Sequence, residues 1–166
     1  MGKKLFVTVG TTKFNKLIEK INDNKTLKVL NKIGYSQLLL QIGNSTLEPN
    51  CNARCGFDKI DYYHLKSSIQ DDIKWADLVI SHAGAGSCLE TLEHGKSLVV
   101  VTNELLMDNH QLELAEQLSN DHHLYHCTCD ELLNTLETMD LNKLVPFDND
   151  KSLKIARTID KIMGFD

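Results

Sequence analysis

The sequence predicts an α/β protein, a Rossmann-like, mainly parallel sheet flanked by helices, and two observations carry that expectation. Apolar runs of strand length (Leu5 to Val9, Leu38 to Ile42, Asp77 to Ser81, Leu98 to Val101) alternate with segments of helical period. Glycine-bearing turns stand where strand runs pass into helical segments, at Gly10 and at Gly84 to Gly86.

Leu5 to Val9 is the first strand. Behind the Gly10-Thr11-Thr12 turn, Phe14, Leu17, Ile18 and Ile21 fall at i, i+3, i+4 and i+7, so they line one face of a helix, with Thr12 as its cap. A second helical stretch, Thr26 to Ile33, ends at Gly34, and Leu38 to Ile42 is the next strand. Residues 43 to 58 have no periodicity and read as a long loop entering a short strand near Ile60 to Tyr63. Ser67 and Ser68 offer caps for a helix through Trp75, followed by the strand Asp77 to Ser81, a turn at His82 to Gly86, and a helix from Ser87 to His94. The strand Leu98 to Val101, a loop and a helix from about Asn109 to Leu118 repeat the pattern. His123 to Cys127 is the sixth strand; Leu132, Leu133, Leu136 and Met139 mark a helix after it. A polar stretch, Pro146 to Lys151, precedes a last helix over 152–166, striped by Ile155, Ala156, Ile159, Ile162 and Met163.

Composition agrees with one domain over residues 1–166. With 42% hydrophobic and 25% charged residues the 166-residue chain can bury a core, and it lies outside the disordered and disulfide-scaffold classes. A net charge of −5 supplies no general field for nucleic acid or an anionic membrane, so an anionic ligand must be caught locally. No apolar run approaches the roughly 18 residues of a membrane span, and five cysteines without a signal-peptide core read as reduced thiols in a cytoplasmic protein. Gly2 does not begin a myristoylation motif, because Phe6 stands where Ser or Thr is needed.

The chemistry concentrates in Leu78 to Glu90, where a strand turns through glycines into a helix. The free N–H groups and positive dipole end of such a helix stabilise a phosphate by about 0.3 to 2 kcal/mol, and glycines let the ligand approach the backbone. Ser87 adds a hydroxyl, and Glu90, one turn on, can accept two hydrogen bonds from a diol such as a ribose. Two common nucleotide motifs do not fit: the third glycine of a dinucleotide fingerprint is replaced by Leu89, and the first glycine of a P-loop ending at Gly95-Lys96-Ser97 by Glu90.

His82-x-Gly84-x-x-Ser87-x-x-Glu90, with Gln111 in Asn109-His110-Gln111 after a strand and loop, resembles the donor-site signature of nucleotide-sugar glycosyltransferases of the GT-B architecture. Over nearly the whole chain the sequence is similar to the glycosyltransferase family 28 C-terminal domain. Within it, the blocks Phe6 to Thr12, Asp77 to Glu90 and Asn109 to Ala115 resemble the catalytic subunits of two-chain UDP-N-acetylglucosamine transferases. The resemblance implies that Gly84, Ala85, Gly86 and Ser87 hold the diphosphate, with His82 close enough to donate to it. It implies further that Glu90 accepts the ribose hydroxyls, that Gln111, Asn109 and Glu113 contact the sugar, and that Gly10, Thr11 and Thr12 close the other side of the pocket.

A GT-B enzyme has two such domains, and this chain has the length of the donor half alone. The resemblance therefore implies a membrane-anchored partner subunit that presents a dolichol-linked acceptor, and a place on the cytosolic face of the endoplasmic reticulum. The implied reaction is inverting transfer of N-acetylglucosamine from UDP-N-acetylglucosamine to N-acetylglucosaminyl-diphosphodolichol, without metal or other cofactor. The alternative is a nucleotide-sugar-binding or regulatory module without turnover. The resemblance commits His82 to the phosphate, and no other histidine has a visible orienting partner, so the general base is expected on the partner chain.

Other features read as structural. His122, His123, His126, Cys127 and Cys129 would scatter over both faces of a strand, which does not suit zinc. Asp148-Asn149-Asp150 matches an Asp-x-Asp metal pattern but lies in a polar linker. Cys51 and Cys55 read as loop thiols and Cys88 as a packing residue. The apolar stripe of the last helix either closes the domain or docks on another protein.

Overall fold

A computed structural model of the chain describes residues 2–103 and 109–147, the side chains of 109–111 excepted. The Asp148-Asn149-Asp150 pattern and the last helix lie outside the described residues. Six strands alternate with helices: β1 (Lys3–Thr8), α1 (Asn15–Asn22), α2 (Asn24–Lys32), β2 (Tyr35–Gln41), β3 (Lys59–Tyr63) and α3 (Gln70–Trp75). β4 (Leu78–His82), α4 (Ala85–Glu93), β5 (Ser97–Thr102), α5 (Asn109–Asn120), β6 (Tyr125–Thr128) and α6 (Leu132–Thr138) follow. The strands form one sheet in the order β3-β2-β1-β4-β5-β6, and each pairing within that sheet is parallel. The expected Rossmann-like fold is therefore present.

Strand patterning divides the core into two layers. Side chains alternate across a strand, and a parallel sheet covered on both faces needs apolar residues on each. Leu5, Val7, Leu78, Ile80, Val99 and Val101 face one layer, packed with Leu17, Ile18 and Ile21 of α1, Leu27 and Leu30 of α2, and Leu132 and Leu136 of α6. Phe6, Val79, Leu98 and Val100 face the other, against Ile73, Cys88, Leu92, Ala115 and Leu118 of α3, α4 and α5.

Local caps differ from expectation. Thr12 does not cap α1; its hydroxyl donates back to the Val9 carbonyl at 2.7 Å, and the Phe14 amide at the helix start donates to Ser45 Oγ at 2.9 Å. Among the described residues no side chain caps α1; Ser45, 31 residues on, anchors the residue that precedes it. Ile69 precedes α3, with Ser68 Oγ accepting only from the Gln70 amide at 3.2 Å. The β3–α3 connection is tied instead by Asp72, which accepts from the Tyr63 hydroxyl and from Lys66 Nζ at 3.2 Å, while that ammonium sits 4.2 Å from the Tyr63 ring centroid.

The aperiodic loop between β2 and β3 is ordered by anchors. Phe57, 1% exposed, packs into the first layer. Arg54 donates to Asn24 Oδ1 at 2.8 Å and to the carbonyls of Asn22, Asn50 and Asn52 at 2.6, 2.9 and 3.0 Å. One guanidinium therefore fastens the loop to the corner between α1 and α2. Arg54→Ala is expected to destabilise the fold by about 1.5 to 3 kcal/mol, the range for hydrogen bonds to a charged group, read by urea unfolding. A loss within experimental error would show that the loop holds without it.

Candidate functional site at the carboxyl edge of the sheet

In an open parallel sheet, ligands bind outside the carboxyl ends of the strands where the strand order reverses. Here that point lies between β1 and β4, with β2 and β3 running off one side and β5 and β6 off the other. Three polar residues sit there in register inside otherwise apolar strands: Thr8 pairs with Gln41 on one side and with Ser81 on the other, and all three are buried. The Thr8 hydroxyl donates to Gln41 Oε1 and accepts from the Gly10 amide at 3.0 Å. This row supports the first turn of the site from beneath.

That turn, Gly10-Thr11-Thr12, is shaped by its neighbours. Gly10 has φ +61°, a left-handed conformation that costs a residue with a Cβ about 1–2 kcal/mol. The loop after β2 braces it: Asn44 donates from its amide to the Thr12 carbonyl at 3.0 Å and from Nδ2 to the Thr11 carbonyl at 2.9 Å. Gly43, at φ +54°, passes so close that a Cβ there would lie 2.6 Å from both the Gly10 and the Thr12 carbonyl oxygens. Thr11 and Thr12 themselves are exposed.

The second wall begins at Gly84. This residue caps α4 with extended backbone and no side-chain hydrogen bond, and the first intrahelical bond runs from the Cys88 amide to the Gly84 carbonyl at 3.1 Å. The amides of Ala85, Gly86 and Ser87 precede that bond and have no acceptor within the helix. Among the described residues, a Cβ on Gly86 would meet nothing within 4 Å. Three amides, the positive end of a nine-residue helix and a half-buried Ser87 suit an anion.

Between the walls stands His82, the last residue of β4. Burial pushes its imidazole below the ordinary value, partly offset by the Thr8 backbone nearby; Nδ1 is buried and makes no hydrogen bond of good geometry. The ring is neutral at pH 7. Glu90 is half-buried in α4, one turn on from Ser87. Asn109 and Gln111 lie in the first turn of α5, beyond the carboxyl end of β5, the strand next to β4; their side chains lie outside the described residues. Glu113, on the same helix, is exposed. The fold thus brings the ends of β1, β4 and β5 to one edge.

The remaining candidates do not assemble. Cys88 is buried, donates to the His82 carbonyl at 3.7 Å and is pushed up to about 12 by burial, so it stays a thiol. His123 Nδ1 lies 2.9 Å from the Val145 carbonyl, and the described residues gather no group of three or more His, Cys, Asp or Glu arranged for a metal. Sequence reasoning missed Thr8, Gln41, Gly43, Asn44 and Ser81; the signal was the polar residue closing each of two apolar runs, Gln41 and Ser81.

Residues 4–162 match the glycosyltransferase family 28 C-terminal domain. The human UDP-N-acetylglucosamine transferase subunit ALG13 is 55% identical over 127 residues, 76% of this chain, and the chain spans 11% of that protein's length. An NMR solution structure of ALG13 superposes with TM-score 0.72 at 26% identity, covering 95% of this chain and 94% of that one. Acinetobacter baumannii MurG superposes with TM-score 0.67 at 20% identity, covering 95% of this chain and 46% of that one, which shows a shared fold.

Gly43→Ala tests the brace under the first wall. Left-handed backbone and two carbonyl collisions predict a loss of about 1–3 kcal/mol in stability, measured by thermal or urea unfolding. A neutral substitution would mean that the two loops do not press on each other.

Proposed function

Because the chain belongs to the glycosyltransferase family 28 C-terminal domain family, we propose that it is the donor-binding, catalytic subunit of an inverting N-acetylglucosaminyltransferase. The donor is UDP-N-acetylglucosamine and the acceptor N-acetylglucosaminyl-diphosphodolichol. The observation that carries this reading is the crevice at the strand-order reversal, walled on one side by the Gly10 turn and on the other by the free amides after Gly84. The relatives named as transferase subunits support the choice of sugar nucleotide.

In this reading Gly84, Ala85, Gly86 and Ser87 hold the diphosphate from one side and Gly10, Thr11 and Thr12 from the other, with His82 at the seam. Glu90 accepts the ribose hydroxyls, while Asn109, Gln111 and Glu113 reach the sugar hydroxyls. As the glycosidic bond breaks, negative charge grows on the leaving diphosphate and positive charge on the sugar ring. Amide dipoles fixed by the fold meet the first without reorganising, and the loss of one comparable donor costs about 3 kcal/mol, roughly a hundredfold in rate. The acceptor hydroxyl attacks from the face opposite the diphosphate, which inverts the anomeric carbon, and its proton passes to a base on the partner chain.

A partner is part of the proposal. Among the described residues no helix is long and apolar enough to cross a membrane, whereas a dolichol-linked acceptor resides in one. A membrane-anchored subunit binding the acceptor would bring it to the donor crevice and hold this chain on the cytosolic face of the endoplasmic reticulum. Residues 152–166, read as a helix with an apolar stripe, would add to that contact or close the domain.

The deciding experiment is a transfer assay with labelled UDP-N-acetylglucosamine and a short lipid-diphosphate acceptor, with and without the partner chain. Turnover with the partner is expected; donor binding without turnover in either case would leave a nucleotide-sugar-binding module. Independently, Glu90→Ala should lose about 1.5 to 3 kcal/mol of UDP binding, the range for hydrogen bonds to a charged group. Unchanged affinity by calorimetry would remove Glu90 from the site.

A further inference from the structure

We propose that His82 is a positioning residue, a spacer whose ring sets the gap between the Gly10 turn and the Gly84 bend and hence the width of the phosphate crevice. The inference rests on the donor-site reading for its functional meaning, but its geometry stands alone. β1 and β4 are paired through Thr8 and Ser81, and His82 is the next residue along β4. One edge of its ring then touches both walls. A Cβ on Gly10 would lie 2.7 Å from Cε1 and 3.1 Å from Nε2; a Cβ on Gly84 would lie 2.7 Å from Cε1 and 2.4 Å from Nε2. Contacts below 3.0 Å cannot persist, so each glycine makes room for the imidazole.

The ring's own backbone is pinned, because the His82 carbonyl accepts from Ser81 Oγ at 2.8 Å and from Cys88 Sγ at 3.7 Å. Beside the ring lie Gly10 and Gly84, and the Thr8 backbone acts on it; the neutral Cys88 thiol meets the His82 carbonyl, and Val101 of β5 is its register partner. No charged side chain among the described residues acts on it. A neutral ring gives the diphosphate no cation, although its N–H can still donate; the part assigned to it here is the spacing of the two walls.

The test uses the full chain with UDP-N-acetylglucosamine as probe, because a diphosphate esterified at both ends lacks the phosphate ionisation near pH ~6. Calorimetry on folded variants should show His82→Ala binding about tenfold more weakly, with His82→Gln, uncharged at every pH, recovering most of the affinity. Between about pH 7 and 8 the native affinity should change by less than about twofold. Tightening on acidification that His82→Gln lacks would make the ring a cation and overturn the spacer.

A second arm needs no ligand. Gly84→Ala should lower Tm by on the order of 5 °C in the native background, and by far less beside His82→Ala, where the added methyl has room. An equal drop in both backgrounds would also overturn the proposal. Should His82→Ala not fold, His82→Ser carries both arms. A native chain that binds no donor, with the Gly84 cycle intact, would sink the transferase reading and leave the spacer standing.

Discussion

The carboxyl edge of the sheet can hold a crevice because three chain segments meet there more closely than any side chain permits. Gly43 slides beneath the carbonyls of Gly10 and Thr12, while Gly10 and Gly84 both rest against the His82 ring. Steric exclusion at van der Waals range is stiff, so these contacts locate the two walls more sharply than hydrogen bonds from flexible side chains could. Sheet pairing brings β1 and β4 together; the absence of Cβ atoms decides how their continuations part.

Beneath that seam lies a polar layer. Gln41, Thr8 and Ser81 sit side by side at the ends of three adjacent strands, and Thr8 passes its hydrogen bonding up to the Gly10 amide. Burying hydroxyl and amide groups is costly unless they are paired, and here the pairing holds the Gly10 turn. The same logic operates away from the crevice, where Asp72 joins Tyr63 and Lys66 and where Arg54 gathers four acceptors from α1, α2 and its own loop. In each case polar groups hold irregular backbone where apolar periodicity has nothing to offer.

In the proposed donor crevice, a neutral histidine would separate shape from charge. The chain carries a net charge of −5, and the proposed donor site would rely on backbone amides, whose dipoles cannot be titrated. Such a site keeps the same electrostatics over the range in which an imidazolium would appear and vanish. It also depends on geometry, since amides attract an anion over a short range and only in the direction they point.

The order of strands and helices, the two buried faces and the glycine bend leading into α4 were all legible in the amino-acid order, because period 2, period 3.6 and glycine act over a few neighbouring residues. Boundaries moved by one to three residues, as at β1, which runs over Lys3–Thr8, and α4, which starts at Ala85. The tie of Ser45 to the Phe14 amide before α1, the anchoring of the 44–58 loop by Arg54, and the contact of His82 with Gly10 and Gly84 were not legible. Each joins residues brought together only when parallel strands align, and a sequence carries no local signature of a collision avoided tens of residues away. The chain alone determined which segments form the sheet and where a phosphate could meet a helix; tertiary packing decided how wide that meeting place is.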